Sequence, residues 1–126
     1  MIFAKWVFTL AGIYGLLVIA PMYVLEPQMT AMGKPLSHPE SYYGFVGVTL
    51  VFQLIFLTIG RDPARYRPIM LLGVLEKASF AGAVIPLYLL GRTQGAVAVF
   101  AAIDAILGLL FFVAWNRSRE VPQRRA

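Results

Sequence analysis

The chain contains no cysteine, which excludes disulfides, thiolate metal sites, iron–sulfur clusters and thiol redox chemistry together. A single histidine, His38, among 126 residues leaves no bis-histidine haem site, and no metal and no cofactor are expected. Acidic groups are scarce too, six Asp and Glu against eleven Lys and Arg, so a carboxylate inside an apolar run stands out. Charged residues make up only 13% of the chain and apolar ones 60%, far from the balance of a soluble domain. The net charge of +5 would suggest nucleic acid if it formed a stripe on a folded surface. Here the basic residues sit between and after apolar runs, which points to membrane topology and lipid contact instead.

Four runs are long enough to span a hydrocarbon core of about 30 Å: Trp6 to Leu25, Tyr42 to Gly60, Ile69 to Leu90 and Gln94 to Trp115. They imply an all-α membrane protein, one integral domain over residues 1–126, with a basic tail over 116–126. The first run has Lys5 ahead of it like a secretory signal, but its length and Pro21 in "VIAPMYV" argue against cleavage, and it is read as retained. The connections "RDPARYRP" and "GRTQG" are short and carry turn residues, so neighbouring helices run antiparallel in an up-down bundle. Only "EPQMTAMGKPLSHPES", Glu26 to Ser41, is long, and its Pro, Ser and Gly content predicts an irregular surface cap.

Basic residues set the orientation. Lys5, Arg61, Arg65, Arg67, Arg117, Arg119, Arg124 and Arg125 fall on one side, and Lys34 and Arg92 on the other. Both termini are therefore expected in the cytoplasm. Arg61, Arg65, Arg67, Arg117 and Arg119 are candidate contacts to lipid headgroups, anionic ones above all, each basic group contributing about 1 kcal/mol near a charged surface. Trp6, Tyr42, Tyr43, Tyr66 and Trp115 stand near the span ends as interfacial anchors.

Four polar side chains interrupt the spans. At 1.5 Å per residue, Gln53 and Glu76 lie about 10 Å from the cytoplasmic ends of their helices, Lys77 about 12 Å and Asp104 about 16 Å. Coinciding depths on three helices allow a cluster. The cost is large: a charge at a helix centre opposes insertion by roughly 2.5–3.5 kcal/mol, while each Leu, Ile, Phe or Val returns about 0.3–0.6. Two such charges nearly cancel the apolar gain of the third run. Adjacent helix residues point about 100° apart, so Glu76 and Lys77 are expected to find separate partners, Lys77 in Asp104 and Glu76 in Gln53. The cluster reads equally as a structural clamp and as a proton or ligand site.

Small residues flank this band: Gly44, Gly47, Gly73, Ala81, Gly82, Ala101, Ala105 and Gly108. They mark a close interface without saying whether it lies within one chain or between two, so a homodimer or larger membrane complex stays open. Pro21 and Pro86 free the carbonyls of Leu17 and Gly82, and an outer half splayed open by them would form a cavity above the polar band.

The run "YYGFVGVTLVFQLIFLTIGRDPARYRPIMLLGVLEKASF", followed by "IDAILGLLFFVAW", resembles the small bacterial four-helix membrane proteins grouped around the DoxX-like families, through helix count, length and the placing of Glu76, Lys77 and Asp104. The resemblance implies a multi-pass bundle of the bacterial inner membrane with no agreed activity. Small multidrug-resistance exporters differ, because they need a carboxylate in the first helix and Trp6 to Leu25 has none. The Gly-rich arginine motif of fluoride channels is absent, and so are the extra His and Trp groups of membrane sterol isomerases. Three functions follow in order: an accessory or small-ligand-binding bundle, a proton-coupled small transporter or transporter subunit, and a membrane-embedded isomerase or hydrolase using Glu76 and Asp104.

Overall fold

The computed structural model describes residues 2–24 and 38–118, and every regular element within them is helical. Helices α1 (Ile2–Ile19), α2 (Pro39–Arg61), α3 (Arg67–Leu89) and α4 (Gly95–Arg117) follow one another, with a 3₁₀ turn, Ala20–Tyr23, closing α1. All four are long and apolar enough to cross a membrane. Most of the cap between α1 and α2, with Lys34, and the tail from Arg119 with Arg124 and Arg125 lie outside the described residues, so that part of the charge bias does too.

The helices begin earlier than the apolar runs, α1 at Ile2 rather than Trp6 and α2 at Pro39 rather than Tyr42, because the backbone ladder continues past the edge of the apolar segment. Pro39 and Pro68 occupy first turns, where a missing N–H is no loss and the fixed φ favours the helix. Pro21 acts the other way and tightens the chain into the 3₁₀ turn, so α1 stops at Ile19 and not at Leu25. The turn between α3 and α4 is a Schellman motif: Gly91 N–H donates to Tyr88 O at 2.9 Å and Arg92 N–H to Leu87 O at 2.8 Å. It requires the left-handed φ of +73° at Gly91, which glycine adopts without strain.

The bundle is two close hairpins. α1 packs along α2 and α3 along α4, while α1 with α4 and α2 with α3 touch over shorter stretches. Glycines set the first pairing. A Cβ on Gly12 would meet the Leu57 side chain at 2.8 Å and Gln53 O at 3.0 Å, Gly15 is covered by the Gln53 side chain, and Gly60 by Thr9. An apolar helix pair in lipid gains little from apolar burial and associates through such close backbone approach.

One core lies near the end that carries Ile2 and Arg117. Phe8, Phe56 and Phe111, from α1, α2 and α4, are fully buried, with ring centroids 4.2 Å apart for Phe8–Phe111, 4.9 Å for Phe56–Phe111 and 6.2 Å for Phe8–Phe56. Helix α3 contributes the space: a Cβ on Gly73 would meet all three rings at 3.1–3.5 Å. Arg67 closes this end, donating from Nε to Ser118 Oγ at 2.9 Å and from Nη2 to Trp115 O at 3.1 Å, with its guanidinium 4.7 Å from the Trp115 ring centroid. Those contacts tie the start of α3 to the end of α4, so Arg67 is engaged within the chain, whereas Arg61, Arg65 and Arg117 are exposed. At the opposite end Tyr42 donates its hydroxyl to Met22 O at 2.6 Å, holding the 3₁₀ turn against α2.

Candidate functional site

Midway along α3, Lys77 turns inward and is only 4% exposed. The α3–α4 contact makes room for it, because Gly108 presents no side chain: a Cβ there would stand 3.1 Å from Lys77 Cβ. The buried Ala81 and Ala101 add small side chains to these two helices. The lysine stem thus packs over Gly108, and its ammonium emerges among polar partners.

Lys77 Nζ donates a hydrogen bond to Asp104 Oδ1 at 3.2 Å, joining α3 to α4 as the depths along the sequence suggest. It also stands 3.6 Å from Glu76 Oε2 and 5.2 Å from the Phe56 ring centroid. The expectation that Glu76 and Lys77 find separate partners is therefore corrected. Their Cβ atoms diverge by about 100°, but both side chains are long, and their heads converge on one point between α3 and α4.

Gln53 is likewise placed differently from the expectation. It is 1% exposed, but its amide Nε2 donates to Thr49 O of its own helix at 2.9 Å, and the side chain fills the space left by Gly15 on α1. No hydrogen bond joins it to Glu76 among the described residues. Gln53 Oε1 and Glu76 Oε2 are buried acceptors with no hydrogen-bond partner there. The sequence signal missed was "GIYG", Gly12 to Gly15, whose two glycines provide the surface that receives Gln53.

The charged centre thus contains two carboxylates and one ammonium, with Phe56 against the ammonium. The carboxylate side chains retain 14% exposure at Glu76 and 17% at Asp104, against 5% at Lys77. Among the described residues no group of three or more His, Cys, Asp and Glu could hold a metal ion. If all three groups are ionised, the centre carries one negative charge in excess. Such a charge inside an apolar span is costly and attracts a proton or a cationic group.

The cap that would bound a cavity beneath Pro21 and Pro86 falls on residues 25–37, outside the described residues. α3 continues through Pro86 to Leu89. A groove of about 490 Å³ runs between α1 and α4 from Phe3 to Tyr14, on the side of the chain termini.

Comparison of the chain with family models, with curated proteins and with solved structures returns no match.

Proposed function

We propose that the protein is an integral-membrane binding bundle, acting alone or as the accessory part of a larger complex, whose working site is the Glu76–Lys77–Asp104 centre. The observation that carries this reading is the unequal charge count around Lys77, two carboxylates within 3.6 Å of one ammonium. A clamp needs only one pair, and the second carboxylate costs insertion energy unless something cancels it. One exchangeable proton, or the cationic group of a small apolar ligand, supplies the missing positive charge. Lys77 holds the two carboxylates in place, and Phe56 closes the site on the side of the aromatic core. Gln53 belongs to the α1–α2 contact and supports the site indirectly.

The same charge count favours a second reading, a proton-coupled transporter or its subunit, in which proton and cationic ligand exchange at these carboxylates. With four helices, such a carrier would need a second copy to complete a pathway. The proposal also includes the bacterial inner membrane, the DoxX-like grouping and cytoplasmic termini. The last rests on Lys5, Arg61, Arg65, Arg67 and Arg117 at one end of the described helices, with Arg92 at the other. Reporters fused at either terminus should read cytoplasmic.

The testing experiment measures small molecules retained from native membranes by the wild type and by Glu76→Gln, with melting curves confirming that both are folded. A compound with a cationic group, kept by the wild type and lost by the folded variant, is the expected result. Equal retention would count against a ligand site at Glu76.

A further inference from the structure

We propose that the groove between α1 and α4 seats one acyl chain of an anionic phospholipid, taken from the leaflet on the side of the chain termini, with its phosphate against Arg117. The groove's inner end, at Tyr14, lies within reach of the Asp104 charge, but the phosphate would sit at the opposite end, and the proposal does not depend on the function proposed for the Glu76–Lys77–Asp104 centre.

The groove is long and apolar, and it begins at the end of the bundle that carries Arg117. Its walls are Phe3, Val7, Leu10 and Tyr14 on α1 with Ile103 and Leu107 on α4, around a space of about 490 Å³, within the roughly 300–1,000 Å³ of small-molecule sites. From Phe3 to Tyr14 the helix rises about 16 Å, close to the roughly 15 Å of one leaflet's hydrocarbon. The groove exists because α1 and α4 close the bundle over only a short stretch, leaving an apolar channel between two helices of different hairpins.

Charge selects the headgroup. The Arg117 guanidinium lies 4.8 Å from the ring centroid of Phe3, the residue at the groove mouth, and no carboxylate pairs with it among the described residues. Lys5, Arg61, Arg65 and Arg67 share this end of the bundle, where Asp62 is the acidic residue within the described chain. Arg67 is committed to Trp115 O and Ser118, so Arg117 is the cation standing at the mouth. At the far end Glu40 and Arg92 balance, which gives that side no comparable preference. A fifth helix or a second copy would be held by the apolar wall alone, whereas an anionic lipid satisfies wall and cation together.

The test is native mass spectrometry of the full chain in mild detergent, titrated with phosphatidylglycerol and phosphatidylcholine of identical acyl chains. One bound phosphatidylglycerol is expected, preferred about fivefold, as one basic contact provides. Arg117→Gln, at an exposed position that leaves the fold standing, should bring the two lipids to equal retention. Leu107→Trp, which fills the groove, should remove the bound lipid of either kind. Equal binding of the two lipids by the wild type would overturn the proposal, as would a preference unchanged in Arg117→Gln. Efficient disulfide crosslinking of Leu107→Cys to a second copy would show that another chain covers the groove and would overturn it too.

Discussion

At the end of the bundle that holds Ile2 and Arg117, three phenylalanine rings from three helices meet over Gly73 of the fourth. At the other end Gly44 and Gly82 face open space, and Val48, Leu89, Val99 and Phe100 are exposed. The composition of the two halves is similar, so apolar content does not separate them. What differs is size matching: three bulky rings close over Gly73 in the first half, whereas in the second, among the described residues, the ring contacts are pairwise, Phe45 with Phe80 and Tyr23 with Tyr43, and Gly47 meets only the Tyr23 hydroxyl. In lipid, where an exposed leucine costs nothing, complementary shape and polar contact decide which faces associate. The Glu76–Lys77–Asp104 centre stands between the closed and open halves, with Phe56 forming its floor.

The largest effect should come from removing that centre from its neighbours. The isolated third span should insert poorly in a translocon assay, and replacing Glu76 and Lys77 together with Leu should restore insertion by about 6 kcal/mol. Efficient insertion of the unaltered segment would show that the charges need no neighbours.

Within the folded bundle, Lys77→Met leaves two carboxylates without an ammonium and should cost about 3–5 kcal/mol. Asp104→Asn and Glu76→Gln should each cost less, because the remaining carboxylate still pairs with Lys77. The triple variant should recover much of the loss. Melting all of these in one detergent checks the order, and equal losses for Lys77→Met and Asp104→Asn would mean that Lys77 is not shared.

The closed and open halves can then be compared directly. Phe111→Ala, fully buried against Phe8, should lose about 3 kcal/mol or more, while Phe100→Ala should stay within about 0.5. Comparable losses at both sites would break the distinction between the halves. The smallest contrast is between two glycines on the same pair of helices. Gly108→Ala pushes a methyl against the Lys77 stem and should cost about 1 kcal/mol, whereas Gly82→Ala faces open space and should be neutral or gain up to about 1 kcal/mol from helix propensity. Denaturant titration of the two variants side by side reads the sign.

Much of this architecture is legible in the sequence, because the length of an apolar run is set by membrane thickness and the position of a charge along a helix is set by residue rise. The four spans and the meeting of Lys77 with Asp104 follow from those two measures. Angle and neighbour order do not. The divergence of Glu76 and Lys77 at Cβ says little about heads at the end of long flexible chains, and Gln53 could be matched to Glu76 by depth while facing α1. The aromatic core was hidden for a related reason: Gly73 reads as a generic small residue until Phe8, Phe56 and Phe111 are known to surround it.

The central claim is that the charged centre carries one surplus carboxylate cancelled by an exchangeable proton when no cationic ligand is bound. Infrared spectra of the purified protein at neutral pH, in the C=O stretching region of protonated carboxyl groups, test this most directly when recorded with deuterium exchange for the wild type, Glu76→Gln and Asp104→Asn. One exchangeable protonated carboxyl band is expected in the wild type and in neither variant, since removing either carboxylate leaves a neutral pair with Lys77. Absence of the band in ligand-free wild type, or its persistence in both variants, would contradict the account.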